Sequence, residues 1–401
     1  FPAVAITCAS LLCLPAWPAA AIAFVDAPGR AMANPRVASG SAHGFTWQAQ
    51  SAIVGTGSTA TLAAGGNPVY QPSRPGLNGV VALTVDFADG RSGICGGSLL
   101  PDRRSILTAA HCVSSGFGTP DPLRATAWFY GGPDGDLVVP GSPPSVAIDI
   151  ARFSVRPGYT GQVIDQNDIA VLRLADFAPA FARSYAILPF EDLTGRDFLT
   201  AGYGRRGFSG QTGDELGAGR LRQGLNRYDF RFGDPDFGKA WTGVFGTAAV
   251  DHVWIADFDS GLAPNDASCR VAAVFGLGGS KYCNVGFGIA EVGIARGDSG
   301  GPQFAVGRVA SVTSFILSLG PEFGDVDTQL NSSFGEFAGF VPTWFHADFI
   351  FRSMLSGRDR RFAALAASPA PEPQAWAMLV AGFGLVGLAI RGRRTSPCPA
   401  G

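Results

Sequence analysis

Charge is scarce in this chain of 401 residues: only 15% of its side chains are Asp, Glu, Lys or Arg, and 30 basic against 32 acidic residues leave a formal charge of −2. That near-neutral balance lacks the electrostatic footprint of a nucleic-acid partner. Histidine is equally sparse, with His43, His111, His252 and His346 scattered along the sequence, and no two cysteines stand in C-x-x-C spacing. Neither a structural zinc site nor any other metal or cofactor is expected. Internal repeats are absent, and long runs of helix-forming residues are few, which argues against a helical bundle. What is abundant points elsewhere. Hydrophobic residues make up 46% of the chain and aromatic residues 11%, with Gly 55 and Pro 28. This is enough apolar material for one large core or two small ones, so disorder of the whole is excluded. The turn-rich remainder favours many short strands, hence an all-β exported enzyme.

Both ends look like addresses. Ala3 to Leu14 carry no charge, Pro15 and Pro18 break the run, and Ala21-Ile22-Ala23 forms a small-residue cleavage pattern, so residues 1–23 read as a signal peptide. Residues 24–77, rich in Gly, Ala, Ser and Pro, are expected to be an extended leader or pro-segment. At the other end, Ala375 to Ile390 are apolar and uncharged, slightly short of an ordinary membrane span, and Arg391, Arg393 and Arg394 follow at once. Such a basic flank stays in the cytoplasm and leaves the preceding chain outside. With Pro371-Glu372-Pro373 ahead of it, the segment 371–394 resembles the PEP-CTERM sorting signal of Gram-negative bacteria. The resemblance implies an exosortase-type processing enzyme as a partner, and transient residence in the inner membrane through residues 375–390. Delivery to the cell envelope or extracellular matrix would follow. Residues 357–370 would be a linker.

Of the seven cysteines, Cys8 and Cys13 lie in the signal and Cys398 in the tail. Cys95, Cys112, Cys269 and Cys283 remain, an even number that implies disulfides after export. The local pairs, Cys95 with Cys112 and Cys269 with Cys283, would each stabilise by roughly 3 kcal/mol. Strands are expected over 80–87, 169–174, 199–203 and 309–316. A helix is expected to begin with Pro342 and to align Trp344, Ala347, Phe351, Met354 and Leu355 on one face.

Three segments carry chemistry: Thr108-Ala109-Ala110-His111-Cys112, Asn167-Asp168-Ile169-Ala170-Val171-Leu172, and Gly297-Asp298-Ser299-Gly300-Gly301-Pro302. In this order, with Cys95-Gly96-Gly97-Ser98 ahead of the first, they resemble the chymotrypsin-like (trypsin-family) serine endopeptidases. The resemblance spans about residues 78–356 and implies a chymotrypsin-like double β-barrel with a C-terminal helix, hydrolysing peptide bonds of protein or peptide substrates. A serine hydroxyl is a poor nucleophile until a neutral imidazole accepts its proton, and a buried carboxylate must then fix the tautomer and stabilise the imidazolium. Ser299, His111 and Asp168 are assigned those roles. Glycines around Ser299 allow the tight backbone that aims the N–H groups of Gly297 and Ser299 at an oxyanion.

In the family, the carboxylate at Asp298 pairs with a new N-terminus released by proteolysis. Here the nearest candidate, Ile53-Val54-Gly55, follows Ala52 rather than a basic residue, so Asp298 is expected to find an arginine or backbone donors instead. The resemblance also marks a substrate pocket. Gly293 stands at its base, Ser314, Phe315 and Ile316 form its wall, and Arg296 stands at the rim, either solvated or meeting acidic neighbours. Without an acidic base, and with a branched Ile316, the pocket is expected to take small or medium apolar side chains. The stretch 204–268 is read as an insertion. Its Asp229, Asp234 and Asp236, and Asp251, Asp257 and Asp259, lack the spacing of a calcium loop and suit turns. Two other functions stay open at this point: a non-catalytic envelope or matrix protein on a protease scaffold, and an esterase using the same three residues.

Overall fold

A computed structural model describes residues 37–356 apart from 44, 51–67, 73–75, 132–144, 190–191, 208–209, 212–216, 260 and 280. The expected signal peptide, linker and sorting tail, and Ile53-Val54-Gly55, lie outside the described residues. Among the described residues no helix is long and apolar enough to cross a membrane.

The hairpin β1 (Ala38–Ala42) and β2 (Phe45–Gln50) comes first. Six strands follow: β3 (Val80–Phe87), β4 (Ser92–Leu99), β5 (Ser105–Thr108), β6 (Pro122–Tyr130), β7 (Ser145–Val155) and β8 (Ala170–Leu174). They close into a barrel in the order β3-β4-β5-β8-β7-β6. The period-2 pattern of β3 shows why two layers form. Val81, Leu83, Val85 and Phe87 point into the barrel core, while Val80 and Ala82 meet Leu77, Tyr203 and Phe304 on the other face. Over Val80–Leu83 both faces of this strand are therefore apolar and buried, as a strand shared between two cores must be, and Thr84 and Asp86 turn the second face polar beyond them.

The second half holds β9 (Asp197–Gly202), β10 (Arg222–Arg227), β11 (Phe230–Arg231), β12 (Trp254–Asp257), β13 (Pro302–Ala305), β14 (Arg308–Ser318) and β15 (Phe337–Pro342). These pair in the order β10-β9-β13-β14-β15-β12-β11, and β2 joins on β14. One closed barrel and a second, open half-barrel, with few helices, make the all-β, chymotrypsin-like architecture that the sequence led one to expect.

Three local expectations change. Within the stretch read as a leader, Phe45, Trp47 and Ala49 alternate with Thr46, Gln48 and Gln50, and the strand is buried on one face against β14. Phe45 and Trp47 enter an aromatic core supplied largely by the supposed insertion, through Phe230, Phe232, Phe237, Trp241 and Phe245. In that core Trp241 and Phe245 stack with centroids 5.8 Å apart. Pro342 does not open a helix: it ends β15 opposite Ser311, a place where a strand needs no donor from proline. The C-terminal helix runs over Ala347–Leu355 and buries Ile350 and Ser353, whereas Phe351 and Leu355 are exposed. A further helix, α1 (Ala267–Val274), is capped by Asp266, whose Oδ1 accepts the N–H of Cys269 at 2.8 Å. Both expected disulfides form, bridging 17 residues from Cys95 to Cys112 and 14 from Cys269 to Cys283.

Candidate active site

β5 runs through Ala109 into a single 3-10 turn, Ala110–Cys112, which carries His111. The disulfide from Cys112 ties that turn to Cys95 in β4. β5 pairs with β8 so that Thr108 faces Ala170, and Asp168 stands just ahead of β8. The register alone therefore brings Asp168 beside His111. Asp168 Oδ2 accepts the imidazole Nδ1–H at 2.7 Å, and its Oδ1 accepts the backbone N–H of His111 at 2.8 Å. Both residues are buried, at 5% exposure for His111 and 1% for Asp168. Because a carboxylate only accepts, the neutral ring keeps its proton on Nδ1 and presents Nε2 as a base.

Ser314 supplies a third contact: its Oγ donates to Asp168 Oδ2 at 2.6 Å. It sits in β14 where the register against β15 shifts between Thr313 and Phe315. Such irregularities re-aim a side chain, and this one turns Ser314 across to the barrel.

Ser299 is 2% exposed. Its carbonyl accepts the N–H of Gly96 at 2.7 Å and lies 3.6 Å from Cys112 Sγ, so its main chain rests on the disulfide next to His111. Nε2 of His111 is buried and has no hydrogen-bond partner. The turn depends on glycine at Gly300, whose φ is +80° and whose missing Cβ would stand 2.0 Å from Thr108 Oγ1. Gly297 has φ +107°. The N–H groups of Asp298, Gly300 and Gly301 donate to the carbonyls of Ala295, Thr313 and Asp298, while those of Gly297 and Ser299 find no acceptor among the described residues.

Asp298 is fully enclosed. Its Oδ1 accepts the N–H of Gly204 at 2.8 Å, its Oδ2 has no partner, and burial pushes its carboxyl well above the usual range. A backbone donor, not an arginine, meets it.

Of the residues expected in the substrate pocket, Gly293 and Ile316 line one small pocket together with Phe258, Ile294 and Glu336. Phe315 instead joins the aromatic core, Ser314 turns to Asp168, and Arg296 offers its carbonyl to the N–H of Arg205. Glu336 carries no signal in the sequence. Its carboxylate accepts the N–H groups of Asn331 at 2.9 Å and Ser332 at 3.0 Å, and burial, with repulsion from Asp325, raises it well above the ordinary range. The acidic set divides as well. Asp234 and Asp236 pair with Lys281 at 3.1 and 2.6 Å, Asp251 is exposed, and Asp229, Asp257 and Asp259 are buried.

Residues 70–223 match the trypsin family. That match takes in His111 and Asp168 and stops before Ser299. It supports a trypsin-family serine peptidase. No curated protein matches the chain. Among solved structures the chain is similar to HL collagenase at 17% identity, with a TM-score of 0.45, over 72% of this chain and 98% of that one.

The support that Ser314 gives Asp168 escaped the sequence. Only a strand irregularity reveals it, and nothing in the residue order between Val312 and Ile316 marks that irregularity.

Proposed function

We propose that this chain is a serine endopeptidase that forms an acyl-enzyme, with Ser299 as nucleophile, His111 as general base and Asp168 as the group that orients it. The observation that carries the reading is the hydrogen-bonded row Ser314–Asp168–His111, which leaves Nε2 buried and unpartnered on a turn whose next residue, Cys112, has its Sγ 3.6 Å from the Ser299 carbonyl. In this reading Ser299 Oγ attacks the acyl carbon as its proton passes to Nε2. The imidazolium, stabilised by Asp168, then returns that proton to the leaving amine, and water repeats the sequence on the ester. The N–H groups of Gly297 and Ser299 hold the oxyanion. No hydrogen bond joins Ser299 to His111 in the free chain, and such contacts commonly tighten only when substrate is bound.

The pocket lined by Phe258, Gly293 and Ile316 favours small or medium apolar side chains before the scissile bond. Two disulfides fit an extracellular site of action. Export with a PEP-CTERM tail processed by an exosortase-type enzyme completes the proposal, and mass spectrometry of the mature termini tests it. For the activity, casein or a peptide library is incubated with the purified protein and with Ser299→Ala. Cleavage by the wild type alone is expected, and equal cleavage by Ser299→Ala overturns the assignment.

A further inference from the structure

Phe258, which walls the pocket beside Gly293, is flanked in sequence by Asp257 and Asp259. Asp257 ends β12, and Asp266 caps α1. The three carboxylates each bring an oxygen to within 4.8 Å of the others, and the residues are 2%, 0% and 5% exposed respectively. Two more buried carboxylates adjoin them. Asp229 Oδ2 accepts the N–H of Asp257 at 2.7 Å, and Glu291 Oε1 accepts that of Asp259 at 3.3 Å. Among the described residues no lysine or arginine forms an ion pair with Asp257, Asp259 or Asp266. Arg270, the cation of α1, donates instead to the carbonyls of Pro264 and Glu322.

Negative charge buried at this density needs either positive charge in contact with it or a proton, and Glu291, raised to about 9 by burial and by repulsion from Asp259, is the member that keeps a proton near neutral pH. The backbone donors present are few: Ser268 N–H for Asp257, Cys269 N–H for Asp266 and Gly261 N–H for Asp259. Each of the three keeps a second oxygen that these donors do not meet, and that of Asp259, Oδ2, is buried with no N–H donor on it.

We propose that Asp257, Asp259 and Asp266 bind one hard divalent cation of the calcium class, with Asp259 Oδ2 as its central ligand. Calcium takes carboxylate oxygens at about 2.3–2.6 Å, so ligands across the ion stand up to about 5 Å apart. A spread within 4.8 Å therefore suits a single ion shared by all three. Burial raises Asp257, Asp259 and Asp266 above the ordinary carboxyl range; repulsion from its acidic neighbours adds to this at Asp257 and repulsion from Asp266 at Asp259, while Arg270 acts the other way on Asp266. The site is also built in advance. The Cys269–Cys283 disulfide ties α1 to the segment whose Asn284 donates to Asp229 Oδ1 at 2.9 Å. Binding at this cluster would fix the chain on both sides of Phe258, and thereby one wall of the pocket.

The test uses the full chain stripped of metal by a chelator, near neutral pH, and needs no peptidase activity. Terbium(III) is titrated in with excitation of tryptophan, since Trp254 lies in the same strand as Asp257. Saturable emission that calcium displaces is expected, together with a rise in Tm of several degrees on adding calcium. Asp257→Asn and Asp259→Asn should each weaken terbium and calcium binding about tenfold or more, while Asp251→Asn, on an exposed turn, should leave both unchanged. If an Asn variant fails to fold, calorimetric titration of the wild type with calcium still decides: one site per chain supports the proposal. Absence of calcium heat and of a Tm shift overturns it, as does wild-type binding by a folded Asp259→Asn.

Discussion

In the closed barrel, buried carboxylates are met by donors on every side. Asp168 takes three hydrogen bonds, from His111 N–H, His111 Nδ1–H and Ser314 Oγ, and Asp165 takes three more from Thr160 and Asn167. In the open half, Asp259 and Asp298 each keep one buried oxygen without a partner. The difference lies in where donors come from. For Asp165 they lie within a few residues on its own loop, and the pairing of β5 with β8 delivers His111 to Asp168. In the open half, acidic residues from β12, α1 and the segment around Glu291 converge on one another, and the cation proposed above would supply their counter-charge. A site for proton transfer wants the first arrangement, because each donor fixes a tautomer or a lone pair. Binding a cation wants the second.

The largest effect should come from breaking the first arrangement. His111→Ala is expected to lower kcat/KM on a casein-derived peptide by about 10⁴–10⁶-fold, and a loss below about tenfold would remove the ring from the chemistry. Next comes the contrast between the cores. Trp241→Ala in the aromatic cluster should cost about 3–5 kcal/mol in denaturant unfolding, and Ile106→Val in the barrel only about 0.5–1.5. Equal losses would mean that the supposed insertion does not share the core.

Acid should then find the histidine that joins the two halves. His346 Nε2 donates to the carbonyl of Gln166 at 2.7 Å, and burial holds its pKa down at about 4. The folded chain thus binds fewer protons than the unfolded chain between pH 4 and about 6.5. Stability from this residue is present above that range and lost as pH falls through it, by about 3 kcal/mol in all. His346→Gln should flatten this limb in unfolding curves at pH 4.5 and 6.5, and an unchanged slope would place the acid sensitivity elsewhere. The smallest effect is expected at Ser314. Ser314→Ala removes one hydrogen bond to a charged group, so kcat should drop about tenfold to a hundredfold with little change in KM. A rise in KM alone would return Ser314 to the substrate wall.

Much of this was written in the sequence, for local reasons. The motifs around His111, Asp168 and Ser299 specify side chain and backbone together, and both disulfides join near neighbours along the chain. The strand at 80–87 was legible because Leu83 to Phe87 alternate apolar with polar after an apolar start. What escaped depends on distant partners. Phe45-Thr46-Trp47-Gln48 alternates as plainly as any strand, yet it is set among small residues, and only β14 and the rings beyond it give it a core to enter. Pro342 fits a strand end as well as a helix start, and pairing with Ser311 decides between them. Asp257, Asp259 and Asp266 follow no calcium-loop spacing, and only the end of β12 and the cap of α1 bring their carboxylates together.

The central claim is that His111 activates Ser299. Reaction of the folded chain with a fluorophosphonate, followed by peptide mass spectrometry, tests it most directly. The account predicts one adduct, on the peptide containing Ser299, lost in His111→Ala although that variant unfolds at the wild-type temperature. An adduct on another residue, or labelling of Ser299 undiminished in folded His111→Ala, would contradict it.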